Sequence, residues 1–333
     1  VRTRIVILEI ICLCVLVSSG CERVGSTPQG QRSAETNSTN STVAPRKSDA
    51  YGPPVRLAVL EDRAINESSG IVASRLNPDL FWTHNDSGDG PVLYALDRKG
   101  KSRGRWRVSG AQAVDWEDIA AGPGPQPGVS YLYIGDIGDN GAERDSITVY
   151  RVVEPSLTDE DDSVTGNNQH TTGPAEAIRL KYPDGKHDAE ALLVHPSTGD
   201  LYIVTKTFDA ASGIYKLKAP YSGIAINTLV SVGKIGAPSL IGGLMTGGDI
   251  APDGRRLVLC DYLDAYEMRL PENSASDFDN IWKQPLEIVE LGTRRQGESV
   301  CYRLDGNAIL ATSEKRPTPL IEVKRRKATL NAE

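Results

Sequence analysis

Histidine, cysteine and helical periodicity are what this chain has least of. Its 333 residues include four histidines, too few for a His-rich zinc set. No Gly-x-Ser-x-Gly stretch is present, which removes the nucleophile elbow of the serine hydrolases. Of the five cysteines, Cys12, Cys14 and Cys21 fall at the N-terminal end. Cys260 and Cys301 fall inside strands of neighbouring repeats and read as buried free thiols. No stretch sustains the helical period of apolar residues. The formal charge of -7 argues against a nucleic-acid partner, since a net acidic surface repels phosphate. The apolar run Ile5 to Val17 is too short to span a bilayer.

What is present is a repeat. Lys186 to Lys206 carries an acid ahead of a short apolar run, then a Pro-Ser-Thr-Gly-Asp turn, then the alternating strand Leu201 to Thr205. That is the pattern of a β-hairpin. The acid-then-apolar element recurs at Glu67 to Ile71, Asp115 to Ile119, Thr246 to Ile250 and Gln296 to Val300. Each copy is followed by two further strands and preceded by a fourth, the first of these being Val55 to Val59. Four strands per unit at a period of about 50 to 70 residues define an all-β fold, a five-bladed β-propeller. The domain opens on a fourth-type strand and finishes on a third-type strand. The strand at Val55 is therefore expected to complete the last blade and close the ring, removing open sheet edges. Glu154 to Glu176 breaks the period and is expected to be a solvated loop between the second and third blades.

At the N-terminal end a basic head, Val1 to Arg4, precedes the apolar run, and Ser18-Ser-Gly-Cys21 follows it. This is the layout of a secretory signal. The small residues leading into Cys21 resemble a bacterial lipobox, which implies lipidation of Cys21 and attachment to a membrane. Glu9 inside the core and Ser18 where Leu is usual depart from that pattern. Residues 22–54 are Ser, Thr, Asn, Gln, Gly and Pro with little that is apolar, and read as a flexible tether. The expected plan is a signal over 1–21, a linker over 22–54, a monomeric propeller over 55–326 and a tail over 327–333.

Loops entering the first strand of each blade share a face with those between the second and third strands. That face is dense in acids and amides, whereas the opposite face carries simple turns such as Pro252-Asp-Gly254. His84, Asp86, Asp139, His187 and Asp188 lie on the dense face and are the candidates for chemistry. Aligning the first strands sets Ser69, Glu117, Glu190, Thr246 and Glu298 at equivalent positions around the axis. Three glutamates that close repel by roughly 3 kcal/mol per pair at an effective dielectric of about 20. They must be protonated, held by basic neighbours, or share a cation. Oxygen donors without sulfur or imidazole suit a hard ion, calcium before magnesium.

The inner order Ser, Glu, Glu, Thr, Glu resembles the calcium-activated nucleotidases (apyrases), which implies a five-bladed propeller with an axial calcium. Thr246 stands where that family has serine, and Asp249 could serve in its stead. Trp82 to Gly88, Asp115 to Ala120, Tyr133 to Asn140 and Asp188 to Leu192 resemble a group of bacterial exported propellers near the esterase-like phytases and gluconolactonase-type propellers. Two functions follow as expectations. One is a calcium-containing module, displayed at the cell surface, that binds a glycan, protein or phosphate-ester ligand. The other is a calcium-dependent hydrolase of phosphate esters or lactones.

Overall fold

The computed structural model describes residues 45–157, 169–208, 211–236, 244–272 and 277–327. Two strands open it, β1 (Arg46–Lys47) and β2 (Val55–Val59). The first blade is β3 (Ser68–Ala73), β4 (Leu80–Asn85), β5 (Val92–Asp97) and β6 (Ser102–Ser109). The second begins with β7 (Trp116–Pro123), β8 (Ser130–Asp136) and β9 (Ile147–Val153). Next, β10 (His170–Pro174) returns to the edge of the first blade, and β11 (Glu176–Lys181) completes the second.

The third blade is β12 (Ala189–Val194), β13 (Leu201–Thr205) and β14 (Ser212–Leu217). After them β15 (Asn227–Thr228) joins the edge of the second blade, and β16 (Val230–Ile235) completes the third. The fourth blade is β17 (Gly247–Ile250), β18 (Arg256–Cys260), β19 (Asp264–Arg269) and β20 (Glu287–Glu290). A 3-10 helix, Phe278–Lys283, lies between its last two strands. The fifth is β21 (Ser299–Tyr302), β22 (Ala308–Thr312) and β23 (Pro319–Lys324). The chain is a five-bladed β-propeller. β2 pairs antiparallel with β23, Val55 opposite Glu322, so the N-terminal strand closes the ring.

Each first strand touches its two neighbours around the axis, in the order β3, β7, β12, β17, β21. Covered on both faces, β3 and β12 are buried along their whole length. That explains why they read as apolar runs rather than alternations. The core is divided into clusters that each sit between two adjacent blades. Ile119, Leu132 and Ile134 of the second blade pack on Trp82 and Leu93 of the first, for example. Leu192 and Ile203 of the third pack on Tyr133 and Val149 of the second. Cys260 and Cys301 are free and buried, as their place in strands implied.

Two boundaries differ from expectation. The segment Glu154 to Glu176 is not a connection between the second and third blades. It runs inside the second blade, between its third and fourth strands, and part of it is β10, paired parallel with β6. Stacking of His170 on Trp106, at a centroid distance of 4.9 Å, holds that strand in place. Glu154 itself is a buried clamp, accepting hydrogen bonds from Ser74 (2.6 Å), Ser130 (2.6 Å) and the Trp82 indole (3.1 Å). Residues 45–54 were expected in the tether, yet β1 pairs parallel with β20 and Tyr51 is buried, its hydroxyl donating to Glu267 at 2.6 Å. Residues 1–44, with the signal, Cys21 and most of the tether, lie outside the described residues.

A carboxylate cluster at the axial mouth

The residues before and within each first strand decide what the axis presents. Ser69 and Thr246 turn their hydroxyls to main-chain carbonyls of the adjacent blade, Glu117 at 2.7 Å and Gly297 at 3.0 Å. These bonds stitch neighbouring first strands together. Strands packed this tightly leave no room for a β-carbon at Gly247, which would run into the Glu298 carbonyl. The three glutamates of the ring, Glu117, Glu190 and Glu298, are each about 4 % exposed. Glu190 is paired with the Lys206 ammonium. Glu298 accepts from the Gln296 amide at 2.9 Å and lies against Glu314. Glu117 has neither kind of partner. Instead its carboxylate gathers with those of Asp86 and Asp115, their oxygens within 4.8 Å of one another.

Local structure produces that gathering. Asp86 follows β4 and Asp115 precedes β7, so two loops of adjacent blades meet above Glu117. The Ile137 and Gly138 amides donate to the Asp115 carbonyl, at 3.1 and 3.3 Å. A side chain at Gly138 would collide with both the Glu117 and Asp115 carboxylates. Burial, then the charges of Asp86 and Asp188, push Asp115 up to about 6. Burial and then Glu190 push Glu117 well above the usual carboxylate range. Glu190 is raised to about 8, chiefly by burial, with Lys206 opposing the rise. Burial disfavours the Lys206 charge, but Glu190 outweighs it and holds that lysine protonated.

Three cations of this face are committed elsewhere. Arg144 is bonded to Asp136 (2.8 Å) and Lys186 to Asp145 (2.9 Å), while Arg294 donates to the carbonyls of Asp261 and Leu263. Among the described residues, no ion pair reaches Asp86, Asp115 or Glu117. A trio of hard oxygen donors, with Asp115 and Glu117 raised and none of the three held in an ion pair, suits a hard divalent cation.

The other candidates divide clearly. Asp188 accepts the Asp139 amide at 2.8 Å, and Asp139 in turn accepts the amides of Glu143 (2.8 Å) and Arg144 (3.0 Å), which is loop capping. His84 is fully buried, its Nδ1 on the Asn85 carbonyl at 2.8 Å and its ring edge-on to Trp116. Burial pushes its pKa down and keeps it neutral. His187 sits apart, against Asp184 and Tyr215, 3.1 and 3.0 Å away.

Two further acids lie on the first strands, Asp118, which sequence reasoning missed, and Asp249. The Asp118 carboxylate accepts the amides of Ile119 (2.8 Å), Leu192 (3.0 Å) and Gly248 (3.3 Å), which belong to three different blades. Asp249 accepts those of Ile250 and Tyr302, both at 2.8 Å, so it binds backbone and does not substitute for Thr246 at the mouth. The available signal was an acid in the middle of an inward apolar run, Trp-Glu-Asp-Ile-Ala and Gly-Gly-Asp-Ile.

The fold and this site define a five-bladed propeller with an acidic axial mouth. No family model and no curated protein matches the chain. Among solved structures it is similar to hydrazine synthase of Kuenenia stuttgartiensis, with 17% identity and a TM-score of 0.40 over 81% of this chain. The chain spans 65% of the length of that one. The propeller assignment rests on the five sheets themselves.

Proposed function

We propose that this propeller is an exported, membrane-tethered binding module whose acidic loop face is organised by a divalent cation, calcium by donor chemistry. The observation that carries the reading is the trio Asp86, Asp115 and Glu117, which converge without a basic partner. These three would hold the ion, with Glu190, Glu298, Ser69 and Thr246 lining the channel around it. A bound calcium would neutralise the mouth and offer an anionic ligand a positive contact that the committed arginines and lysines do not. The inner-strand likeness to the apyrases and the wider likeness to exported propellers support the same reading. Attachment through a lipid on Cys21 is supported by the basic head, apolar run and small residues before it.

The experiment is thermal melting of the protein with chelator, then with added calcium or magnesium. A fall in Tm on chelation that calcium restores supports the module, and indifference to both refutes the cation. Cys21→Ala should move the protein from the membrane to the soluble fraction, and unchanged fractionation refutes the anchor.

One observation favours the hydrolase as a second reading. Asp115, pushed up to about 6, exchanges its proton near neutral pH, as a general acid or base must. Phosphate esters, nucleotides and lactones assayed with calcium and with chelator decide between the two. Calcium-dependent turnover abolished by Asp115→Asn makes it an enzyme. A folded, calcium-responsive protein with no turnover leaves the binding module.

A further inference from the structure

The outer edges of four of the five blades are covered by the segment leading into the fourth strand of the blade that follows. On three of them that segment adds a short parallel strand. β10, leading into β11, covers β6 of the first blade. β15, leading into β16, covers β11 of the second. β1, upstream of β2, covers β20 of the fourth. The lead-in to β20 is the 3-10 helix Phe278–Lys283, and it packs against β16 of the third. The fifth blade has no such cover among the described residues. Its neighbour's fourth strand, β6, follows β5 through the tight turn Arg98 to Lys101, which is too short to supply a strand.

That edge is β2, which Gly100 of this turn approaches at Val59 and which carries no added strand among the described residues, with Val55 52% and Val59 40% exposed. Beside it lies a cavity of about 840 Å³, walled by Leu57 of β2, by Leu80 and Leu157, and by Arg98, Lys99 and Arg103. Its acids are already engaged. Asp97 caps the turn amides of Lys99 and Lys101, and Asp79 is paired with Arg303. Arg98 is bidentate on the buried Glu322, at 2.7 and 2.6 Å. Lys99 and Arg56 have no ion pair among the described residues. The chain shows at β1 how such an edge is recognised. There a basic strand lies on an acidic edge, Arg46 on Glu287 (2.7 Å) and Lys47 on Glu290 (2.8 Å). At β2 the signs are reversed.

We propose that the uncovered edge of the fifth blade is a docking site for an extended acidic segment of a partner protein, added parallel to β2 as a fifth strand. Main-chain hydrogen bonds to the free side of β2 give affinity. Alternate apolar side chains enter the cavity, and the acidic ones meet Arg56 and Lys99. The site lies on the rim of the propeller and does not depend on a cation at the mouth.

The test uses the full chain and a fluorescently labelled synthetic peptide alternating valine and glutamate, read by anisotropy and by amide hydrogen exchange. The acidic peptide should bind and slow exchange within residues 55–59. Affinity should fall by about tenfold or more with Arg56→Glu plus Lys99→Glu, and with a valine–lysine peptide. A backbone N-methylated acidic peptide should lose binding without any change to the protein. Absence of binding, equal affinity for the basic peptide, insensitivity to N-methylation, or protection at 230–235 in place of 55–59 overturns the proposal.

Discussion

Two sets of acids lie on one axis and differ in who answers their charge. Asp118 is fully buried and Asp249 half-buried, and their carboxylates are met by backbone amides of their own and neighbouring first strands. Asp86, Asp115 and Glu117 stand at the mouth with no basic partner among the described residues. This pair are rivets, holding blades together through hydrogen bonds to backbone amides. The mouth trio tie no neighbouring blade in this way and repel each other. The contrast teaches that a buried acid is not in itself a sign of function, whereas one left without a donor or a counter-charge asks for a ligand.

The largest expected effect breaks the deep side. Asp118→Ala strands the amides of Leu192 and Gly248 and should cost on the order of 3 kcal/mol or more, measured by denaturant unfolding. Any calcium response of the folded protein should survive it. If Asp118→Ala and Glu117→Ala cost the same, the distinction between rivet and ligand site fails.

A smaller effect sharpens the mouth. Glu117→Gln keeps shape and removes charge, so the chelated protein should melt at or above the wild-type temperature. Calcium should then no longer add the stabilisation of about 2.7 kcal/mol expected at a hundredfold excess over Kd. Glu190→Gln is the useful contrast, because it also leaves the Lys206 ammonium without its partner. It should lose calcium response and destabilise the chelated protein as well.

The smallest effect is graded by pH. Asp115 rises from 3.8 to about 6, so folding favours its protonated form. Stability from that preference is full below its ordinary value and is lost as pH climbs through about 6. In chelator, Tm should therefore decline from acid toward neutral pH. The rise produced by calcium should grow over the same interval, because the ion replaces the proton. A calcium effect that is flat with pH would separate the ion from this carboxyl.

The blades were legible because each repeat announces itself by an acid, an apolar run and a turn. Closure by Val55 followed from counting strand types. Ser69, Glu117, Glu190, Thr246 and Glu298 could be aligned because all five precede the same inward run. The added edge strands could not be read. Asn227–Thr228 and Arg46–Lys47 are two residues long, and nothing in them says strand until another blade's edge is beside them. The trio at the mouth was half legible. Asp86 was one acid among many on that face, and only the approach of two loops singles it out. Asp118 was hidden by its neighbour, since in Asp115-Trp-Glu-Asp118 the alternation drew attention to Glu117.

Closure by β2 also has a consequence for timing. Val55 is among the first residues of the domain to leave the ribosome, and its partner Glu322 is among the last. The ring cannot be sealed until the last blade has been made. Four blades can collect on their own local hairpins, but the fifth must wait with its outer strand already synthesised and unpaired. The last act of assembly is therefore the docking of the domain's first closing strand on its last.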